Sequence, residues 1–435
     1  MTPGRKLSRR IILAGFGAGL LRAPALCLAR AAEAPPLELR ARAESLPLLA
    51  GQPATSAWGL VGPQTALRTR QGGALSSALV NDLPVPIALA FRGPDSAATV
   101  EPLLAQPGLA PAATTRFNIG AGSAGTGTLD LRLLADGAVA PARVLPVIID
   151  EAQPVTVDRD EIFLIEDWRL TADGSALAPG RDPQQAQVAL TVNGARLPEI
   201  RARGQERIRL RFINGCQRAV IAVKIADVDV RVMAIDSQPA EPFLARNGAV
   251  VMPPGGRADV LIDMPAAAKA PLPILLHDGT AAQPISRLVL SDQPPVRAAP
   301  LPPAAPLPSN GLPEQLDLKT AVRVELALDG PEWLAPSRFT AASRPAFQAK
   351  AGRTVVLALT NRSPTGATFH LHGYPFRLLD RLDDGWKPYW LDTLALQSGQ
   401  TQRIAFAAET AGRFLIESMG TDWAAPRLVR WYEIK

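Results

Sequence analysis

The chain has 435 residues, 47% hydrophobic and 20% charged, with 42 prolines and 34 glycines. That length exceeds one ordinary core and calls for two to three domains, and the Pro/Gly load with few aromatics excludes a framework of long helices in favour of short strands and turns. No internal apolar run reaches the ~20 residues of a membrane helix, and the formal charge of +6 is no argument for a nucleic-acid partner, because the excess is concentrated at the N-terminus.

Residues 1–34 read as an export leader. Ser8-Arg9-Arg10-Ile11-Ile12-Leu13 carries paired arginines, an apolar stretch runs to Leu21, and small residues surround Ala31 and Ala34. The order of charge, apolar core and small residues resembles a twin-arginine signal cleaved near Ala31 or Ala34. It predicts the twin-arginine translocase as a partner during export, a periplasmic destination, and no membrane span after cleavage. Arg5, Lys6, Arg9, Arg10, Arg22 and Arg30 leave with it against Glu33 alone, so the mature chain keeps 40 basic and 39 acidic residues, a net of +1. Cys27 leaves too; Cys216 remains alone, and no intrachain disulfide can form.

The first domain is expected over residues 35–153. Residues 37–49 are extended, and 75–80 and 84–91 read as strands around the turn Asn81-Asp82-Leu83-Pro84. The second domain, 154–292, opens with a strand over 161–168 and carries a turn at Val192-Asn193-Gly194. Residues 207–214 alternate, Arg207, Arg209 and Arg211 against Ile208, Leu210 and Phe212, which predicts a half-buried strand with a charged face. His277 sits at a strand end with no second ligand beside it and reads as structural, and Cys216 reads as a small buried hydrophobe. Residues 293–318, dense in proline and alanine, read as an extended interdomain connection. The third domain, 319–435, should begin with strands over 322–328 and 354–360.

Two of the three histidines then come together in Ala-Thr-Phe-His-Leu-His-Gly-Tyr-Pro-Phe, residues 367–376. In a strand, residues two apart point to one face, so His370 and His372 should project together. Paired imidazoles suit copper or zinc, and these two are the candidate metal ligands. Gly373 lets the backbone turn after them.

This stretch closely resembles the H-P-F-H-L-H-G-H-x-F segment of the multicopper oxidases, and Pro253 to Asp263 resembles their P-G-x-R-A-D-V-L-V segment. The resemblance implies an all-β chain of three tandem cupredoxin-like Greek-key β-sandwich domains. It also implies where copper ligands should stand, and most are replaced. Ala90 and Arg92 occupy the H-W-H-G positions, Asp130 and Arg132 those of a second histidine pair, and Ala367 that of the first histidine in the leading motif. In the closing motif Glu417 and Met419 stand for histidines, Ser418 for the copper-binding cysteine, Trp423 for a further histidine and Leu428 for the axial methionine.

A serine hydroxyl stays protonated and cannot replace a thiolate, so four-electron oxidase chemistry is not expected. Within the superfamily these departures resemble the copper-free cell-division members of the SufI/FtsP type. The resemblance implies a non-catalytic periplasmic scaffold or binding protein with no cofactor and a protein partner, of which the division machinery is the candidate. The alternative is an oxidoreductase with a reduced or atypical copper site. For the two histidines themselves, one reading is hydrogen bonding at a domain interface, to Asp130, Glu417 or Asp422. The other is a mononuclear site completed by one carboxylate.

Overall fold

The structure is a computed structural model; it describes residues 36–49, 51–98, 101–105, 108–268, 270–380 and 387–435. The export leader expected over 1–34 lies outside the described residues. Described residues 36–435 form one compact unit. Among them, no helix is long and apolar enough to cross a membrane.

Six sheets build this unit, in three consecutive pairs. The first pair, two sheets of four strands, uses strands between Leu37 and Asp150. The second has six and five strands between Arg159 and Leu290, and the third four and five between Val322 and Ile434. Each pair encloses its own apolar core fed by both of its sheets. Leu39, Leu79 and Ile119 meet Phe91, Leu129 and Val147 in the first. Phe163, Leu210 and Val260 meet Val223, Ile274 and Leu288 in the second. Leu357 and Phe406 meet Phe369, Ile416 and Tyr432 in the third. Burying each such Leu, Ile or Phe stabilises by roughly 1.5–3 kcal/mol, which is why the alternating strands fold as sandwiches. The expected three tandem β-sandwiches are the observed architecture.

One buried asparagine per sandwich fixes a turn leading out of an inner strand. Asn81, Asn214 and Asn361 are at most 1% exposed, and their side-chain oxygens accept from the backbone N–H of Leu83, Cys216 and Ser363. Their amide groups donate to carbonyls of neighbouring segments. These are Asx turns, in which a short polar side chain replaces a backbone partner.

Two expectations change, and a third gains detail. The strand read over 84–91 is reduced to Ala90–Arg92, because Pro84 and Pro86 supply no N–H to a ladder; Ile87 makes only an isolated bridge to Leu109. The charged face of Arg207–Asn214 is not in solvent: all eight residues are buried. Arg209 binds Glu151 and Asp259 at 2.9 and 2.6 Å, and Arg211 reaches Asp160 and Thr126. The alternation was real, but the polar face abuts the first sandwich. The Pro-rich connection is a strap pinned to the second sandwich. Its carbonyls at Pro294 and Pro302 accept from Arg203 and Arg207, and Leu307 packs against Met233, Ala234 and Leu261.

Candidate metal centre

His370 lies on the strand Ala367–Leu371, inside the five-stranded sheet of the third sandwich. The strand runs antiparallel to Thr393–Leu396 on one side and Gly412–Gly420 on the other, and the register sets His370 opposite Thr393 and Glu417. His372 follows as the strand turns at Gly373, whose φ is 87°. A Cβ there would come within 2.5 Å of the Phe414 ring, so glycine is needed for both conformation and space. The two rings do project together, with centroids 4.7 Å apart, and each histidine is 3% exposed.

The first sandwich brings the other wall. Ala90–Arg92 pairs with Gly125–Asp130, and Arg132 opens the short 3-10 turn Arg132–Leu134. Arg92 is 4% exposed and donates to Glu417 Oε1 at 2.9 Å, with its Nε 3.7 Å from Asp130. Arg132 grips Asp130 through Nε and Nη2 at 3.0 and 2.9 Å, and its Nη1 donates to the carbonyls of Gly215 and Cys216 in the second sandwich. Arg427, from the strand Arg427–Ile434, binds the other oxygen of Glu417. Its backbone N–H donates to Asp136 at 2.8 Å, and Asp136 also binds Arg218 at 2.6 Å.

The histidines have different partners. His372 has a carboxylate on each nitrogen: Glu101 on Nδ1 and Glu417 on Nε2, both at 2.8 Å. Carboxylates accept, so both ring nitrogens must donate, and His372 is an imidazolium with no lone pair to offer. Burial alone would lower its pKa, but Glu101 and Glu417 outweigh burial and hold it up at about 9. His370 Nδ1 lies 2.9 Å from the Asp392 carbonyl and 2.9 Å from the Thr393 hydroxyl. Donation to the carbonyl places its proton on Nδ1 and leaves the lone pair on Nε2. Burial, reinforced by the charge on Arg92, depresses it to about 4, so it is neutral at pH 7.

The acids follow the same logic. Burial would raise Glu417, yet Arg92, Arg427 and His372 drive it well below the usual carboxylate range. Arg132 and Arg92 do the same for Asp130. Burial depresses Arg92 despite Glu417 and Asp130.

His370, His372 and Glu417 can place their ligand atoms within 4.8 Å of one another. The carboxylate completing the sequence-predicted pair is Glu417; Asp130 is committed to the arginines, and Asp422 is exposed. Ser418 Oγ donates to the Leu328 carbonyl at 2.7 Å. Trp423 stacks beneath Arg169 and donates to the Ala178 carbonyl. Cys216 is fully buried in the second core, where burial pushes its thiol pKa up. His277 is exposed, and its Nδ1 accepts from the Gly279 N–H, closing a turn. Glu101, Arg427, Asp136 and Asp392 were not found by reading the sequence, because none lies in a ligand position; a seam of matched charges carries no spacing signal.

A multicopper oxidase family profile matches residues 313–433, the third sandwich and the end of the strap. Solved structures match over far more of the chain. A multicopper oxidase from Pseudomonas thermotolerans aligns with a TM-score of 0.75 at 23% identity, covering 92% of this chain and 98% of that one. Lac15 from a marine microbial metagenome gives 0.76 at 24%, covering 92% and 100%. The chain has the multicopper oxidase fold. A laccase from Pediococcus acidilactici shares that fold at 18% identity, with a TM-score of 0.71 over 92% of this chain and 89% of that one. No curated protein matches the sequence. In this multicopper oxidase fold the charge cluster lies where the first and third sandwiches meet.

Proposed function

We propose that this chain is an exported, non-catalytic protein that keeps the multicopper oxidase fold and has given up its copper chemistry. The observation that carries the reading is the set of partners around Glu417: two guanidinium groups and an imidazolium converge on one buried carboxylate. The donor set does not fit a copper cluster. His372 has no lone pair, Arg92 and Arg132 bring fixed positive charge where a cation would sit, and at low dielectric that repulsion is severe. The serine at position 418 supplies no thiolate, and its hydroxyl is already committed.

The twin-arginine leader supports a periplasmic site of action. The resemblance to copper-free cell-division members supports a scaffold or binding role there, with a protein partner from the division machinery as the first to test. A second reading, an oxidoreductase with a reduced copper site, has one observation in its favour: the approach of His370, His372 and Glu417 ligand atoms to within 4.8 Å.

Metal analysis of the mature protein, purified from cells grown in copper-rich medium, separates the two. The expected outcome is no stoichiometric copper, no intense blue absorption, and no oxygen uptake with a phenolic reductant. Stoichiometric copper together with oxygen consumption would establish the second reading instead.

A further inference from the structure

The cluster around Glu417 joins two sandwiches whose contributing residues are far apart in sequence, and its charges interlock. The first sandwich contributes a cation, Arg92, to an anion of the third, Glu417, at 2.9 Å. It also contributes an anion, Glu101, to a cation of the third, His372, at 2.8 Å. Glu101 additionally accepts from the Leu415 backbone N–H at 3.0 Å, and Asp136 accepts from that of Arg427 at 2.8 Å. Arg92, Arg132, Arg427 and His372, together with Arg218 of the second sandwich, thereby face Asp130, Glu101, Glu417 and Asp136. Most of these side chains are nearly excluded from water, so each depends on its partners for solvation.

We propose that Glu417 is the keystone of a metal-independent charge clamp that fastens the first sandwich to the third where the fold's copper site would lie. This rests on the metal-free reading above and extends it: the seam is held by the chain's own ions, so bound metal adds nothing to its closure. The argument is one of connectivity. Among the described residues, Glu417 is the single group that touches all of Arg92, His372 and Arg427. Removing its charge takes the carboxylate from Arg427, the nearer one from Arg92 and one of two from His372 in a dry interface, whereas removing Arg92 as well relieves part of that mismatch. A metal ion would have to displace Glu101 or Glu417 from His372 before it found a second imidazole lone pair.

Hydrogen exchange on the mature protein tests the clamp, read at Ala90–Arg92, residues 101–105 and Gly412–Gly420, with the core strand Arg207–Asn214 as internal control. Glu417→Gln should raise exchange at least about tenfold on both sides of the seam while the control stays slow, since local opening tracks lost local stability. The double variant Arg92→Met/Glu417→Gln should exchange no faster than Glu417→Gln alone. In wild-type protein, excess chelator or added cupric ion should leave seam exchange unchanged. Wild-type exchange rates in Glu417→Gln, or a double variant showing the full product of the two single effects, would overturn the clamp. If Glu417→Gln does not fold, the wild-type arm and Arg92→Met alone decide: seam opening by chelator, or an Arg92→Met seam that stays closed, would overturn it. Copper found in the wild-type protein would count against the metal-free reading but leave the Glu417→Gln result to judge the clamp separately.

Discussion

The interiors of the three sandwiches and the seams between them are built on opposite principles. Within a sandwich, Leu357, Phe369 and Phe406 pack with no polar partner to satisfy. Along the seams, Arg209, Arg211, Arg218 and Arg257 are among the largest fully buried side chains of the molecule, and each binds an acid. Arg257 joins the second sandwich to the third through a two-point contact with Asp392 at 2.9 and 2.7 Å. An apolar core tolerates change of identity if volume is kept; a matched seam tolerates change only in pairs. The fold can therefore persist at low sequence identity while the seam is rewritten in matched sets.

Breaking the seam from one side should have the largest effect. Arg257→Ala leaves Asp392 and Asp236 buried together without their shared cation, and should cost roughly 3–5 kcal/mol in denaturant unfolding. Leu357→Ala in the third core should cost about 2–5 kcal/mol through lost burial and a cavity. The comparison sharpens on rescue. A pairwise apolar replacement of Arg257 and Asp392 should recover stability, whereas a second core truncation beside Leu357 should lose more. Failure of the paired variant to recover would mean that the seam arginines act by volume, not by charge.

A smaller effect is expected from pH, with opposite signs at adjacent histidines. His372 is held at about 9 against an ordinary 6.5, so its contribution is complete below pH 6.5 and is lost as pH rises through 9. His370 is depressed to about 4, so its contribution is present above pH 6.5 and is lost as pH falls toward 4. Glu417, held well below 4.5, adds to the acid loss. The summed contribution of these three groups should thus be largest near pH 6.5, and His372→Gln should flatten the alkaline limb. Smallest of all, His277→Ala should change stability by no more than about 0.5 kcal/mol, since its ring is exposed and closes only a turn.

These contrasts also explain what was legible in the sequence. Alternating strands and Pro/Gly turns made the sandwiches readable, because periodicity records which side of a strand is dry. The convergence of His370 and His372 was readable for the same reason. The fate of Arg207, Arg209 and Arg211 was not: alternation marks a polar face but cannot say whether water or another domain covers it. The partners of His372 were half visible. Glu417 came from a ligand position in the motif, whereas Glu101 lies in a loop with no pattern around it. The repeated buried Asn81, Asn214 and Asn361 were available in the sequence as strand-ending asparagines, but their equivalence shows only when the three turns are compared.

The most direct test of the central claim, that the chain's own charges fill the place of a metal, is nitrogen NMR of histidine-labelled mature protein near pH 7.5. The account predicts His372 with protons on both ring nitrogens and His370 neutral with its proton on Nδ1, neither spectrum changing when cuprous ion or zinc is added. A neutral His372 whose nitrogen resonance shifts with stoichiometric metal would contradict it.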